Sequence, residues 1–231
     1  SALAIPGISY GVKHVVYVLA SICAFGIVIA LPLKIWELGH KTCLFAALFL
    51  ALVVLIPGIG TVVNGSRRWI DFGFFTVQAS EWVKFFVLIY VAGFLSRSGD
   101  ELKRGGIELF RPILWLLPVF LLILLEPDFG TLVVLMALTT GLFFVVGVRL
   151  RHFFILAILI SVVLAILLAI SPYRVERFAA FLDPWSSPFD SGYQLTQALI
   201  AFGRGELTGI GLGDGIQKLF YLPEAHNDFI F

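Results

Sequence analysis

The chain has 231 residues, of which 60% are hydrophobic and only 13% charged, with a formal net charge of +1. Soluble domains carry about 25% charged residues, so this composition excludes a soluble globular domain, a disordered chain and a disulfide scaffold. It indicates an integral membrane protein, and the near-zero net charge excludes the basic field of a nucleic-acid binder.

A membrane span needs about 20 mostly apolar residues. In chain order, the candidates are Val12 to Leu33, Cys43 to Val63, Glu81 to Leu95, Ile113 to Leu125, Thr131 to Val148 and Phe153 to Ile170. The last is apolar on every face and has no ionisable side chain. A barrel strand would alternate with period two, so the expectation is an all-α polytopic protein of about six helices. Phe229 to Phe231 reads as the opening of another. Cys23 and Cys43 lie in apolar runs and read as small buried or lipid-facing side chains, not as a disulfide or metal site.

Orientation follows from Lys and Arg in short connections. Lys34 and Lys41 fall after the first helix, Arg97, Lys103, Arg104 and Arg111 after the third, and Arg149 and Arg151 after the fifth. That side should be cytoplasmic. The opposite side receives 64–80, Glu126 to Asp128 and the polar stretch from Ser171 to Asp228; Arg67, Arg68 and Lys13 also fall there, so the bias is a majority. The stretch 171–228 is rich in Gly, Pro and aromatics, and a loop of this length is usually functional. Within it, Tyr193 to Phe202 has the spacing of a short amphipathic interfacial helix. With no initiator Met and an abrupt apolar end, the chain reads as a fragment of one integral membrane domain. Its helices would occupy 12–170, an extracytoplasmic loop 171–228, and the start of the next helix 229–231.

Several motifs then recur in order. They are Asn64-Gly-Ser-Arg-Arg-Trp-Ile, Gln78-Ala-Ser-Glu-Trp-Val-Lys84, Glu126-Pro-Asp-Phe-Gly-Thr131 and Asp183-Pro-Trp, then Ser191-Gly-Tyr-Gln-Leu-Thr-Gln through Glu206, and Leu222-Pro-Glu-Ala-His-Asn-Asp-Phe-Ile-Phe231. Together they resemble the SEDS (shape, elongation, division and sporulation) family over essentially the whole chain, and its division-type, FtsW-like members more than its elongation-type ones. Ala79 stands where the family usually has Pro, and Asn227 where Thr is usual. The resemblance implies ten transmembrane helices, of which this chain would lack the first and last. It implies a peptidoglycan glycosyltransferase that polymerises lipid II in septal wall synthesis at the bacterial inner membrane. The implied partners are lipid II, a class B penicillin-binding protein transpeptidase and other division proteins. The alternatives are a lipid II flippase or a non-catalytic division scaffold.

Such a polymerase needs a base near the attacking sugar hydroxyl and cations, from side chains or a divalent ion such as Mg2+ or Mn2+, near the pyrophosphate leaving group. Asp228 sits where the polar loop meets an apolar run. From the residues alone it caps the next helix, as does Asn227; the resemblance places the family's essential aspartate there and makes it the base. Glu81 and Lys84 are one helical turn apart and share a face. They are either a pair snorkelled to the interface or a pocket wall with Lys84 toward substrate phosphate. Arg68 suits phosphate, or simply lipid headgroups. Trp69 suits the headgroup belt or, with Arg68, a substrate-facing pair. Arg67 reads as their solvated neighbour. Gln194, Gln197, Glu224 and His226 join the substrate-binding set through the matching loop motifs. Glu126 and Asp128 read as a polar turn, with Asp128 favourable to the following helix dipole and Gly130 allowing close helix approach. Gly203, Gly205, Gly209, Gly211 and Gly213 read as turn formers, because the Walker Lys-Ser/Thr is missing.

Overall fold

The computed structural model describes residues 6–63, 65–73, 76–104, 110–206, 208–211 and 222. Two compact units divide it, residues 1–158 and 159–231. The first contains α1 (Pro6–Ala30), α2 (Leu33–Leu55), α3 (Ala79–Arg104), α4 (Arg111–Leu125) and α5 (Phe129–Val146). Among the described residues, four helices are long and apolar enough to cross a membrane: α2, α3 over Ala79–Gly99, α5 and α6 (Leu150–Ala169). Two shorter apolar helices, His14–Ala30 and α4, join them. The expected helical, multi-pass architecture is therefore present.

The core of the first unit lies where α2, α3, α4 and α5 pack together. Ala47, Ala51 and Val54 line one face of α2; Val83, Val87 and Val91 repeat every fourth residue on α3. Leu116, Val119 and Ile123 of α4 and Leu132, Leu135 and Phe143 of α5 complete it. In lipid, helices gain little from hydrophobic burial against each other, so small residues that let backbones approach matter more. Gly93 shows this: a Cβ there would lie 2.5 Å from the Cβ of His40. The remaining helix faces carry exposed large apolar side chains such as Phe45, Phe49, Trp115 and Phe144, as a lipid-facing surface requires.

Helix limits differ from the expected spans mainly at α2. Lys34 and Lys41 belong to α2 and not to a loop before it, because α1 ends early, at Ala30, just before Pro32. The expected span through Val63 stops at Leu55, before Pro57. From there the chain forms a three-stranded antiparallel sheet, β1 (Gly60–Val63), β2 (Ser66–Asp71) and β3 (Thr76–Gln78), in the order β1-β2-β3. The connection expected over 64–80 is thus largely sheet, because the Val-, Ile- and Thr-containing runs there favour strands.

The second unit, 159–231, holds the C-terminal part of α6, then α7 (Pro172–Leu182), a 3-10 turn (Pro184–Ser186) and α8 (Tyr193–Gly205). The Arg174 guanidinium donates to the Leu167 carbonyl at 2.7 Å, satisfying a free acceptor at the end of α6. Asp183 accepts from the Trp185 amide at 3.2 Å, so the Asp-Pro-Trp motif is a local turn. The Thr196 hydroxyl donates to the Pro184 carbonyl at 3.1 Å, fixing α8 to that turn. Gly192 is required there, since a Cβ would sit 2.5 Å from the same carbonyl oxygen. A helix does form over the expected Tyr193 to Phe202, as part of α8, while α7 has no counterpart in the sequence reading.

Candidate active site

The small sheet builds the site. Gly60 begins β1 against the end of α2, where a Cβ would clash with the Val54 carbonyl oxygen and come within 2.8 Å of the Arg67 stem. Arg67 is not a solvated neighbour. It is half-buried and donates to the Leu55 carbonyl at 3.2 Å, closing the C-terminus of α2. The next residue, Arg68, is the extra residue of a β-bulge, since Arg67 lies opposite Val62 and Trp69 opposite Thr61, and a bulge re-aims the side chain it carries. In the β2–β3 register Trp69 lies opposite Gln78 and Ile70 opposite Val77. Since α3 starts at the next residue, Ala79, this pairing carries Arg68 and Trp69 to the head of α3.

In the first turns of α3, Lys84 Nζ meets Glu81 Oε1 at 2.7 Å. The helical spacing does place both on one face, with Lys84 three-quarters covered and Glu81 more than half exposed. Ser80 is buried and accepts from the Gln78 amide at 3.0 Å, so the strand-to-helix junction is hydrogen-bonded without the Pro usual at position 79.

Arg68 is held at two points. Its Nε donates to the Ser66 hydroxyl at 2.5 Å. Its Nη1 lies 3.4 Å from Asp128 Oδ1, at the start of α5. Asp128 is also the α5 N-cap, accepting from the Thr131 amide at 3.2 Å and the Thr131 hydroxyl at 2.9 Å. The expected dipole role of Asp128 is thus correct, yet the turn is not a solvated one. Glu126, two residues earlier, is fully buried, and neither carboxylate oxygen has a hydrogen-bond partner among the described residues. Burial, and then the charge of Asp128, push its pKa up to about 8, against a smaller lowering by Arg68. Its surroundings therefore favour the protonated acid. Gly130 meets nothing closer than Asp128 Oδ1 at 3.9 Å, so it does not serve a close helix contact.

The structure thus brings Arg68, Trp69, Glu81 and Lys84 to one end of the first unit, and adds Ser66, Glu126 and Asp128, which the motif roles had not included. Pairing of opposite charges from two separate connections is invisible in a single sequence; only the shared membrane side of Arg68 and Asp128 hinted at it. Gln194 and Gln197 lie one turn apart on α8, in the second unit, both half-buried. Glu224, His226 and Asp228 lie outside the described residues, as does Asn64. Gly209 and Gly211 do adopt positive φ, as turn formers should, whereas Gly203 and Gly205 are helical; Gly213 lies outside the described residues. Among the described residues no group of three or more His, Cys, Asp or Glu is placed to hold a metal.

Comparison with known proteins gives this arrangement a family. The family described as "Cell cycle protein", which groups FtsW, RodA and SpoVE, matches residues 6–231. A Methylomonas methanica protein named "Probable peptidoglycan glycosyltransferase FtsW" is 46% identical over 222 residues, covering 96% of this chain and 57% of that protein. One of the same name from Nitrosococcus halophilus is 51% identical over 217 residues, covering 92% of this chain and 54% of that protein. Among solved structures, a chain from a peptidoglycan synthase complex that coordinates polymerization and crosslinking superposes with a TM-score of 0.69 at 26% identity, over 89% of this chain and 60% of that one. The chain therefore spans a little over half the length of the curated relatives it matches. With the match running through the sheet, the α3 head and the α4–α5 turn alike, the chain belongs to the FtsW/RodA/SpoVE family of multi-pass membrane proteins.

Proposed function

We propose that the protein is a peptidoglycan glycosyltransferase that polymerises lipid II, acting on the outer face of the bacterial inner membrane during septal wall synthesis. The observation that carries this reading is the β2–β3 register. It sets a guanidinium and an indole beside the first turns of α3, where Lys84 is held by Glu81. A reaction that expels a pyrophosphate needs fixed cationic donors where negative charge grows, and Arg is suited to gripping phosphate oxygens in pairs. Open helix flanks leave the isoprenoid tails access from the bilayer.

In this reading a sugar hydroxyl of one lipid-linked disaccharide attacks the anomeric carbon of another. Asp228 takes the hydroxyl proton as general base, and undecaprenyl pyrophosphate leaves. Arg68 and Lys84 meet the leaving phosphates, with Trp69, Glu81, Gln194, Gln197, Glu224 and His226 as further substrate-binding residues. In the same reading 171–228 is the extracytoplasmic loop of the protein and 229–231 begin the next helix. A class B penicillin-binding protein supplies the crosslinking activity within the division machinery, in line with the synthase complex to which the fold is similar.

The test is polymerisation of labelled lipid II by the whole purified protein together with its transpeptidase. Glycan strands that lengthen with time are expected. Transfer of lipid II between leaflets with no polymer formed would replace this reading with a flippase, and neither activity would leave a scaffold.

A further inference from the structure

A second site lies at the other end of the bundle. Helices α2, α3 and α4 enclose a cavity of about 300 Å3, at the small end of the range of ligand pockets. Its lining includes Lys41 and His40 from α2, Tyr90 and Phe94 from α3, and Arg111 and Trp115 from α4. Phe94 is 13 residues beyond Glu81 on α3, which at 1.5 Å per residue is about 20 Å along the helix. The cavity is therefore separate from the proposed active site.

Lys41 and Arg111 both line the cavity, and no described acid does. The nearest acid on α2, Glu37, directs its carboxylate to Arg97, Oε1 to Nε 3.7 Å. The inner wall is fixed: His40 is buried, its Nδ1 lies 2.8 Å from the Glu37 carbonyl oxygen, and its ring stacks on Tyr90. Gly93 lets α2 and α3 close on that ring, since a Cβ there would lie 2.5 Å from the His40 Cβ. The outer wall is Phe45 and Trp115, both exposed on the apolar flank of the helices. A ligand here meets two cations at the membrane surface and aromatic rings along the hydrocarbon. A small soluble anion would use only the first half of that lining.

We propose that this cavity is a binding site for an anionic glycerophospholipid of the cytoplasmic leaflet, its phosphate between Lys41 and Arg111 and its first acyl carbons along Phe45 and Trp115. Basic pockets between transmembrane helices on the cytoplasmic side suit such headgroups, and the excess of Lys and Arg at this end sets the leaflet.

The test uses the whole protein in nanodiscs of equal phosphatidylglycerol and phosphatidylcholine, released for native mass spectrometry so that retained lipids are counted by class. The wild type should retain phosphatidylglycerol preferentially. Each cation near the surface is worth about a factor of five. Lys41→Gln should thus lower phosphatidylglycerol affinity about fivefold, and Lys41→Gln with Arg111→Gln about 30-fold. Arg149→Gln with Arg151→Gln, equal in charge and on the same side but outside the cavity, should leave the preference intact. An equal loss in that control, no preference in the wild type, or displacement of the retained lipid by millimolar inorganic phosphate would each overturn the proposal. Lys41→Gln is an exposed single change, so its result stands even if the double variant folds poorly.

Discussion

Arg68 on β2 and Asp128 at the head of α5 meet at 3.4 Å, tying the sheet to the α4–α5 turn across 60 residues of sequence. Asp128 is almost fully covered and Arg68 about one-third exposed. The pair thus lies between an exposed ion pair, worth under about 1 kcal/mol, and a fully buried one, whose loss of one partner costs about 3–5 kcal/mol. It also stands beside Glu126, whose protonated form the charge of Asp128 favours and that of Arg68 opposes.

The first prediction concerns that pair. Arg68→Ala should destabilise the protein by about 1–3 kcal/mol, and Asp128→Asn by a similar amount, since Asn still caps α5. Combined, the two changes should cost clearly less than their sum. Apparent melting temperatures of the two single variants and the double variant in detergent would show this; strict additivity would mean the pair contributes nothing.

The second concerns Glu126. Its pKa is about 8 in the folded protein against an ordinary value of 4.5. Below 4.5 the folded and unfolded states are both protonated. Between 4.5 and about 8 the unfolded carboxyl loses its proton while the folded one keeps it. Stability should therefore fall as pH rises through that window and level off above it. Glu126→Gln keeps the shape without the proton and should flatten this slope, gaining most over the wild type near pH 8 to 9. An unchanged slope in Glu126→Gln, measured by thermal unfolding at pH 6 and pH 9, would show that Glu126 is not the titrating group.

Helices α3, α5 and α6 were legible from their apolar runs, because a lipid-embedded helix leaves an unbroken signal. The start of α2 was not, because Lys34, Glu37 and Lys41 look like loop residues unless a partner such as Arg97 on α3 is known. Short strands carrying Arg67, Arg68 and Asp71 have too little apolar alternation to declare a sheet. That Glu81 and Lys84 share a face and meet follows from their helical spacing. Glu126 reads as part of a polar turn, and it is one, but nothing in Leu-Glu-Pro-Asp tells that the first carboxyl is buried and the second paired.

The third prediction is topological. Single cysteines at Arg104 and Gly192 should label from opposite sides, Arg104 from the cytoplasm and Gly192 from the periplasm, because basic residues gather at the Arg97–Arg111 end. Labelling from the same side would overturn the assignment of spans between them.

The fourth separates Lys84 from a membrane-surface lysine. Lys84 is three-quarters covered and bonded to Glu81. At matched membrane levels, Lys84→Ala should lower lipid II polymerisation by tenfold or more, the loss of roughly one charge-assisted hydrogen bond of about 1.5–3 kcal/mol. Lys13→Ala should have no such effect. Equal rates for the two variants would return Lys84 to an interfacial ion pair.

The last prediction concerns Asp228, proposed as the general base. Asp228→Asn keeps size, polarity and capping ability, since Asn is as good an N-cap as Asp, and it removes only the proton-accepting carboxylate. A positioned general base contributes about 10²–10⁴-fold in rate. The variant should therefore fold, reach the membrane and bind its transpeptidase, yet make glycan at least about 100-fold more slowly. A residue that merely caps a helix gives the opposite outcome, near-normal polymerisation. Transfer of lipid II between leaflets, measured on the same preparation, divides the remaining cases. Lost polymerisation with an intact fold and intact partner binding marks a chemical role. Wild-type polymerisation in Asp228→Asn would remove the base from this position and require another carboxylate to take the proton.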